Sequence, residues 1–391
     1  MELFDVAIIG AGPGGNYAAL TASKLGLSTV VLEEHEAIGV PVHCGECLSQ
    51  LACDRLGLKL PDEAISQKVK GIRLVFPDKT TSFISEAGCT LEKEKFEQYL
   101  SLEATKAGAS YKLKNRVAQL EREEGGWHIT TKQGEYFARL VIDASGVASA
   151  SSKLLSLNPP QKTVVGLQYE LSPMEFDGMI DFFLWPRLSP HGYLWIIPKK
   201  DGRANVGLVT NDAPKTRAYL EKFIEEYGLS AKQKVGKMAF GGQIPSGGPQ
   251  PKTYDDGIIL IGDAAGFTSP MFEGGTSLSM ASGKFAAEVA ADALKKKDTS
   301  KAALAPYEQK WRAEFPNYAK LVGGKEKMYG FTDSELNKIA RIIPRDLTTI
   351  SSAQKLSIGA SVLLSAPGLL SKGFIPAMET LGQSRARNYG W

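Results

Sequence analysis

The 391-residue sequence predicts an α/β and α+β fold: a parallel, doubly wound unit laid down in separated pieces, an inserted antiparallel sheet and a helical C-terminal region. Three observations predict it. Short β-branched runs ending in glycine-bearing turns recur at Asp5–Ile9, Tyr136–Ile142 and Gly257–Ile261, as buried parallel strands do. From Val164 to Ile244 the pattern changes to alternating strands broken by Pro186, Pro190 and Pro198, which reads as antiparallel. The length, with 43% hydrophobic and 23% charged residues, suits two or three globular domains.

The first run is the most informative. Asp5-Val6-Ala7-Ile8-Ile9 leads straight into Gly10-Ala11-Gly12-Pro13-Gly14-Gly15, a G-x-G-x-x-G at Gly10, Gly12 and Gly15. Gly10 permits the tight strand-to-helix turn, Gly12 lets the backbone approach a pyrophosphate, and Gly15 lets the helix pack closely on the sheet. The open amides and positive dipole end of the helix Asn16–Leu25 then meet the phosphates. Gly26 ends that helix, and Thr29–Leu32 forms a second strand that delivers Glu33, with Glu34 beside it. An acid there accepts hydrogen bonds from an adenosine ribose. Strand, glycines, helix, strand and acid in register make a Rossmann-type dinucleotide-binding unit.

A net charge of +3, without a dense basic stripe, gives no electrostatic case for nucleic acid. The N-terminus enters the first strand within a few residues, with no secretory pattern, so a cytoplasmic protein is expected. The nearest approach to a membrane span, Leu356–Ser371, is sixteen residues between Lys355 and Lys372, interrupted by Gly359, Pro367 and Gly368.

Past Glu33 the loop from His35 to Ser49 is rich in reactive side chains, including a C-x-x-C at Cys44 and Cys47. No second C-x-x-C or H-x-x-x-H follows, so no metal is expected, and a thioredoxin-like pair should instead follow a strand and open a helix. Leu91–Ala107 places Leu91, Phe96, Tyr99 and Leu100 on one helical stripe, stopped by Gly108. Strands over Ser110–Arg122, Gly126–Thr131 and Tyr136–Ile142 follow. The last runs into Asp143-Ala144-Ser145-Gly146, a bare turn at the carboxyl edge of the sheet, where ligands of open α/β sheets sit.

The antiparallel strands are Val165–Leu171, Met179–Trp185, Tyr193–Ile197 and Ala204–Val209, crossed by a helix over Thr216–Tyr227. The chain then returns to a buried strand at Gly257–Asp263, a loop through Pro270 to Gly274-Gly275-Thr276, and a small-residue helix Ser277–Leu294. Asp263 can hold a ribityl or ribose hydroxyl, and Gly274-Gly275 offer amides to a ring carbonyl or phosphate. The nucleotide-binding unit is therefore expected in three pieces, 1–75, 90–155 and 250–300. The antiparallel-sheet unit takes 76–89 and 156–249, and the helical region takes 301–391.

Gly10 to Gly15 with Glu33, Asp143 to Gly146, and Gly262-Asp263 with Pro270 together resemble the FAD-dependent monooxygenase and reductase superfamily of p-hydroxybenzoate hydroxylase fold. Within it, the Cys44-Gly45-Glu46 loop, the Tyr193-x-Trp195-x-x-Pro198 strand and the Gly262–Gly266 turn are similar to the geranylgeranyl reductase family, which saturates isoprenoid double bonds. The resemblance covers Met1 to Leu294. It implies FAD, held by Gly10, Gly12, Pro13, Gly14, Gly15, Glu33, Glu34, Cys44, Gly45, Val117, Ala144, Gly146, Gly262, Asp263, Pro270, Gly274, Gly275 and Thr276. It also implies chemistry at Cys44, Glu46, Tyr193 and Trp195, on an isoprenoid lipid. Three positions depart from the family: Glu273 stands where many relatives carry glycine, Ile197 where phenylalanine is common, and Cys47 adds a second thiol. The Tyr193–Pro198 strand also looks like the W-x-W-x-I-P strand of flavin-dependent halogenases. The rival expectation is thus a monooxygenase or halogenase acting on an aromatic or apolar small molecule.

An isolated alkene has no carbonyl to absorb charge as hydride arrives, so the protein must position it and supply a proton to the other carbon. Phe182–Trp185 and Tyr193–Trp195 are expected to line an apolar tunnel, with Cys44 beside the flavin ring as proton relay. The 356–371 segment is expected to cover the tunnel mouth or to rest on a membrane surface, which would make the protein peripheral on the inner face of the cell membrane. No second G-x-G-x-x-G appears, which leaves NADH, NADPH and a ferredoxin-type donor protein open as the reductant.

Overall fold

The computed structural model describes residues 2–391, apart from the side chains at 236–238 and 240. Five parallel strands build the first sheet, in the order Ile258–Leu260, Glu135–Asp143, Glu2–Ile9, Thr29–Leu32, Ser110–Lys112. Tyr254–Asp255 adds an antiparallel edge, and Val117–Glu123 and Gly126–Thr131 hang off Glu135–Asp143 as a meander. Register decides where the ligand edge falls. Ile9 pairs with Asp143 and with Leu32, and Asp143 pairs with Leu260. Gly10, Glu33, Ala144 and Ile261 therefore leave the sheet side by side, which gathers three distant sequence motifs at one carboxyl edge.

The helix Pro13–Lys24 packs between the helices Lys93–Lys106 and Thr276–Lys295. Small residues set the closeness of that packing. A Cβ on Gly283 would lie 2.5 Å from the Gly14 carbonyl oxygen, and one on Gly14 would collide with Ser279. Gly14 is thus needed for helix contact, whatever its backbone amide meets at the start of the helix.

The second sheet has seven strands, in the order Gln233–Pro245, Thr163–Ser172, Arg203–Thr210, Tyr193–Lys199, Met179–Phe183, Gly71–Val75, Thr81–Ile84. Its strands alternate between two cores, as a period of two requires. Phe182, Tyr193, Trp195 and Ile197 join Met271, Phe272 and the late C-terminal helices, while Phe183, Leu194 and Ile196 pack on Leu220, Phe223 and Ile224 of the helix Thr216–Glu226. Gly71–Val75, expected on the nucleotide-binding side of a boundary at 75, pairs here with Met179–Phe183. Cys47–Ser49, expected as loop, pairs with Gly88–Leu91, which also pairs with Ile65–Val69 to make a small third sheet.

The region after 300 is helical but divides between the two cores. Leu304, Tyr307, Trp311 and Phe315 bury against the parallel sheet, whereas Met328, Leu336, Ile339, Val362, Phe374 and Leu381 bury against the antiparallel one. Among the described residues no helix is long and apolar enough to cross a membrane.

Candidate active site

A cavity of about 520 Å³ runs along the carboxyl edge of the parallel sheet. Of the expected cofactor residues, Gly10, Gly12, Glu33, Glu34, Val117, Ala144 and Gly146 line it. Gly10 has φ +99°, and a Cβ there would stand 2.6 Å from the Ala144 oxygen, so turn and neighbouring strand both demand glycine. At Gly12 a Cβ would meet nothing within 4 Å among the described residues beyond its chain neighbours. The space that the missing side chain leaves open belongs to whatever occupies the cavity. The helix Pro13–Lys24 starts there without a side-chain cap, so its first amides are free for phosphate oxygens.

Glu33 lies deep in the cavity wall. Its Oε2 accepts from the Ala11 amide at 2.7 Å and its Oε1 from the His35 amide at 2.9 Å. Glu34, by contrast, is 48% exposed beside Arg116, so the two acids are not equivalent and only Glu33 is buried in the cavity wall. Lys93 also lines this cavity, with its ammonium almost buried against Glu97. Burial alone would lower the Lys93 ammonium, but Glu97, with Cys44 and Glu46 nearby, holds it above the usual lysine range. Sequence reading missed this cation, because a lysine in the first turn of an amphipathic helix carries no periodic signal.

Pro13, Gly14 and Gly15 form the first turn of the helix at this cavity. The other expected residues sit beyond it, where the Cys44–Cys47 loop meets the Gly262–Thr276 segment and the antiparallel sheet. Burial raises the Asp263 carboxyl above its ordinary range, against the pull of the Thr268 hydroxyl, which donates to Oδ1 at 2.9 Å. Its Oδ2 has no protein donor among the described hydrogen bonds and stays available to a ligand hydroxyl. Gly275 precedes the uncapped helix Thr276–Lys295, and a Cβ on Gly275 would lie 3.3 Å from Asp263 Oδ1. Pro270 is buried at the head of that loop.

The Cys44 loop is seated directly on the second sheet. Gln168 bridges the two: its Nε2 donates to the Cys44 carbonyl at 2.7 Å, and its Oε1 accepts from Trp195 Nε1 at 2.9 Å. A Cβ on Gly45 would lie 3.2 Å from Ile197 Cδ1. Cys44 and Cys47 are free thiols, and Cys47, starting a strand rather than a helix, has its thiol pushed well up by burial. The Tyr193 hydroxyl donates to the Phe272 carbonyl at 2.7 Å, and burial drives its phenol well above the ordinary tyrosine value. Tyr193 and Trp195 therefore shape an aromatic wall, with Phe182 and Phe272 in edge contact, and their polar atoms are already engaged.

Glu46, expected among the reacting groups, is placed otherwise. Its Oε1 accepts from the Lys93 amide at 2.9 Å, and its Oε2 accepts from Lys199 Nζ at 2.8 Å and Asn205 Nδ2 at 2.7 Å. With three donors and 4% exposure it clamps the Cys44 loop between the first helix layer and the second sheet. Among the described residues, no group of three or more His, Cys, Asp or Glu side chains gathers as a metal site.

Fold, open Gly12, buried Glu33 and uncapped helix together define an FAD-dependent oxidoreductase, and a family model described as FAD dependent oxidoreductase matches residues 5–152. A second, described as geranylgeranyl reductase catalytic domain, matches 163–243. A digeranylgeranylglycerophospholipid reductase of Methanocaldococcus jannaschii is 35% identical, over 89% of this chain and 93% of its own. The crystal structure of a geranylgeranyl bacteriochlorophyll reductase-like protein from Thermoplasma acidophilum is 30% identical, with a TM-score of 0.86 over 95% of this chain and 98% of that one. A flavin-dependent brominase shares the fold at 18% identity, with a TM-score of 0.72 over 98% of this chain and all of its own. The chain belongs to the geranylgeranyl reductase family.

Proposed function

We propose that this protein saturates the isoprenoid double bonds of a prenyl lipid of the digeranylgeranylglycerophospholipid class, with Cys44 as the proton relay. The observation that carries the reading is the seat of the Cys44-Gly45 turn on Gln168, Trp195 and Ile197, which joins the cofactor edge to an aromatic, water-poor wall. Gly12, Glu33, Lys93 and the two uncapped helix starts would hold the FAD phosphates and ribose, and Asp263 a ribityl hydroxyl. FAD, once reduced by NADH, NADPH or a ferredoxin-type protein, supplies hydride chemistry. The chain's own part is to align the alkene against the Tyr193–Trp195 wall, exclude water and protonate the carbon opposite the hydride. A halogenase reading needs a free lysine at this wall. Lys199 and Lys325, buried beside the second sheet, are instead paired with Glu46 and Glu273.

The test is anaerobic. Reduced flavin in the protein should be reoxidised by a geranylgeranyl glycerolipid with stoichiometric saturation of double bonds, and flavin that stays reduced would count against the reading.

A further inference from the structure

The helix Ser352–Ser365 carries two apolar stripes. Val362 and Ala366, at 0% and 8% exposure, turn inward with Ile358 onto the antiparallel-sheet core. Leu356, Leu363 and Leu364, spaced i, i+7 and i+8, share the opposite side and stand 76%, 61% and 87% exposed. Ile375, on the following helix Phe374–Gln383, is 58% exposed as well. A capping box, with Ser351 and Gln354 reciprocally bonded, fixes where the helix begins. Scattered surface leucines need no explanation, but a second complete stripe on an already anchored helix does.

Charge identifies the occupant. From residue 347 to 378 the chain holds no acid, and its only charged side chains are Lys355 and Lys372, one at each end of the stripe. Lys372 is 53% exposed and contacts Glu335 at 2.6 Å, and Lys355 is exposed. An apolar strip between two cations fits a surface whose interior is hydrocarbon and whose rim is anionic phosphate. A second copy of the same strip would offer these lysines only Glu335, already held by Lys372, and Glu379 at its far end.

We propose that this face docks on an anionic lipid bilayer, with Leu356, Leu363, Leu364 and Ile375 entering the headgroup boundary and Lys355 and Lys372 meeting lipid phosphates. It rests on the reading of the substrate as a membrane lipid, which it deepens by assigning the surface through which the enzyme meets that lipid. The docked protein lies on the bilayer and does not span it.

The experiment is vesicle flotation of the flavin-loaded protein, with phosphatidylglycerol–phosphatidylcholine vesicles and with phosphatidylcholine alone. The wild type should float with the anionic vesicles and release partly at high salt. The triple variant Leu356→Ser, Leu363→Ser, Leu364→Ser should lose at least about tenfold in bound fraction while keeping its flavin, and Lys355→Glu should lose binding to the anionic vesicles selectively. Equal flotation of wild type and triple variant overturns the proposal, as does a wild type that never floats. It is equally overturned by a wild-type dimer that the triple variant converts to monomer in sedimentation, because the stripe then belongs to a second copy. Reduction of a detergent-dispersed prenyl lipid separates the two readings. Flotation without any such reduction leaves docking standing and removes the lipid-reductase assignment, whereas reduction without flotation does the reverse.

Discussion

Glu273 and Lys325 meet where the Pro270–Gly275 loop touches the C-terminal helices: Glu273 Oε1 accepts from Lys325 Nζ at 2.8 Å, while Oε2, equally buried, has no donor among the described residues. The residue also takes φ +48°, in the left-handed region that a glycine would adopt without strain. Burial raises its carboxyl to about 7 from the usual 4.5, with the Lys325 charge opposing that rise. The folded protein therefore keeps a proton that the unfolded chain releases. For this group stability is greatest below the unfolded value and falls as pH climbs through about 7, where the loss is complete. Its size is roughly 3 kcal/mol. Glu273→Gln should flatten the slope of unfolding free energy between pH 5 and 8, measured by denaturant titration. Equal slopes in both proteins would show that the carboxyl is not held protonated.

The Glu46–Lys199 pair makes a prediction about role. If Glu46 clamps the Cys44 loop, Glu46→Ala leaves a buried ammonium without its main partner and should cost about 3 to 5 kcal/mol of stability. Glu46→Ala with Lys199→Met removes both charges and should cost clearly less than the sum of the two single changes. A reacting acid would behave oppositely, with stability near wild type and turnover lost.

Much of this was legible in the chain because the motifs sit at strand ends. Gly10, Glu33 and Ala144 each follow a strand whose apolar run is unmistakable, and register alone brings them together. The antiparallel sheet was legible for the same reason, since Tyr193, Trp195 and Ile197 alternate with Leu194 and Ile196. What was not legible has a common physical cause, contacts between segments far apart in the chain. Glu46 reads as reactive because a carboxylate beside two thiols is suggestive, and its three donors come from residues 93, 199 and 205, which no local pattern links to it. The packing demand on Gly14 could not be read locally either, because the helix that requires its lack of a side chain lies some 260 residues further on. The boundary expected at 75 falls after Gly71–Val75 and not before it because a five-residue strand carries no mark of its partner.

Gly12 and Gly15 should separate binding from folding. Among the described residues nothing opposes a side chain at Gly12, whose φ of −70° suits any residue, so Gly12→Val should fold with a stability within about 1 kcal/mol of wild type. Its branched side chain fills the pyrophosphate space, and the purified protein should be colourless apoprotein. A Cβ on Gly15 collides with the Gly10 carbonyl oxygen, so Gly15→Val should fail to fold. Full flavin occupancy in Gly12→Val would remove the cofactor site from this edge.

The two thiols of the C-x-x-C should differ. Cys47 belongs to a strand, its thiol is pushed well up by burial, and Tyr193, Glu46 and Cys89 lie close enough to feel its charge or impose theirs. Cys44 stands at the turn itself, half-buried, with its Sγ accepting from the Glu46 amide at 3.2 Å and its carbonyl tied to Gln168. Carbonyl and thiol of Cys44 are thus both held, on the strand side by Gln168 and on the loop side by the Glu46 amide. Limited alkylation of the apoprotein at mildly alkaline pH should label Cys44 before Cys47. Cys44→Ser should retain flavin and lower lipid-driven reoxidation of reduced flavin by about 10²-fold, the usual span for a lost proton donor, and Cys47→Ser should stay within a few-fold of wild type. Because the proton and not the cofactor is affected, the solvent isotope effect on reoxidation should grow in Cys44→Ser. Matching losses in both variants, together with a two-electron change in thiol titre, would instead identify a working disulfide couple. Wild-type reoxidation in Cys44→Ser would leave that thiol as packing and assign the proton to water admitted beside His43, whose ring holds the Gly241 carbonyl at 2.7 Å.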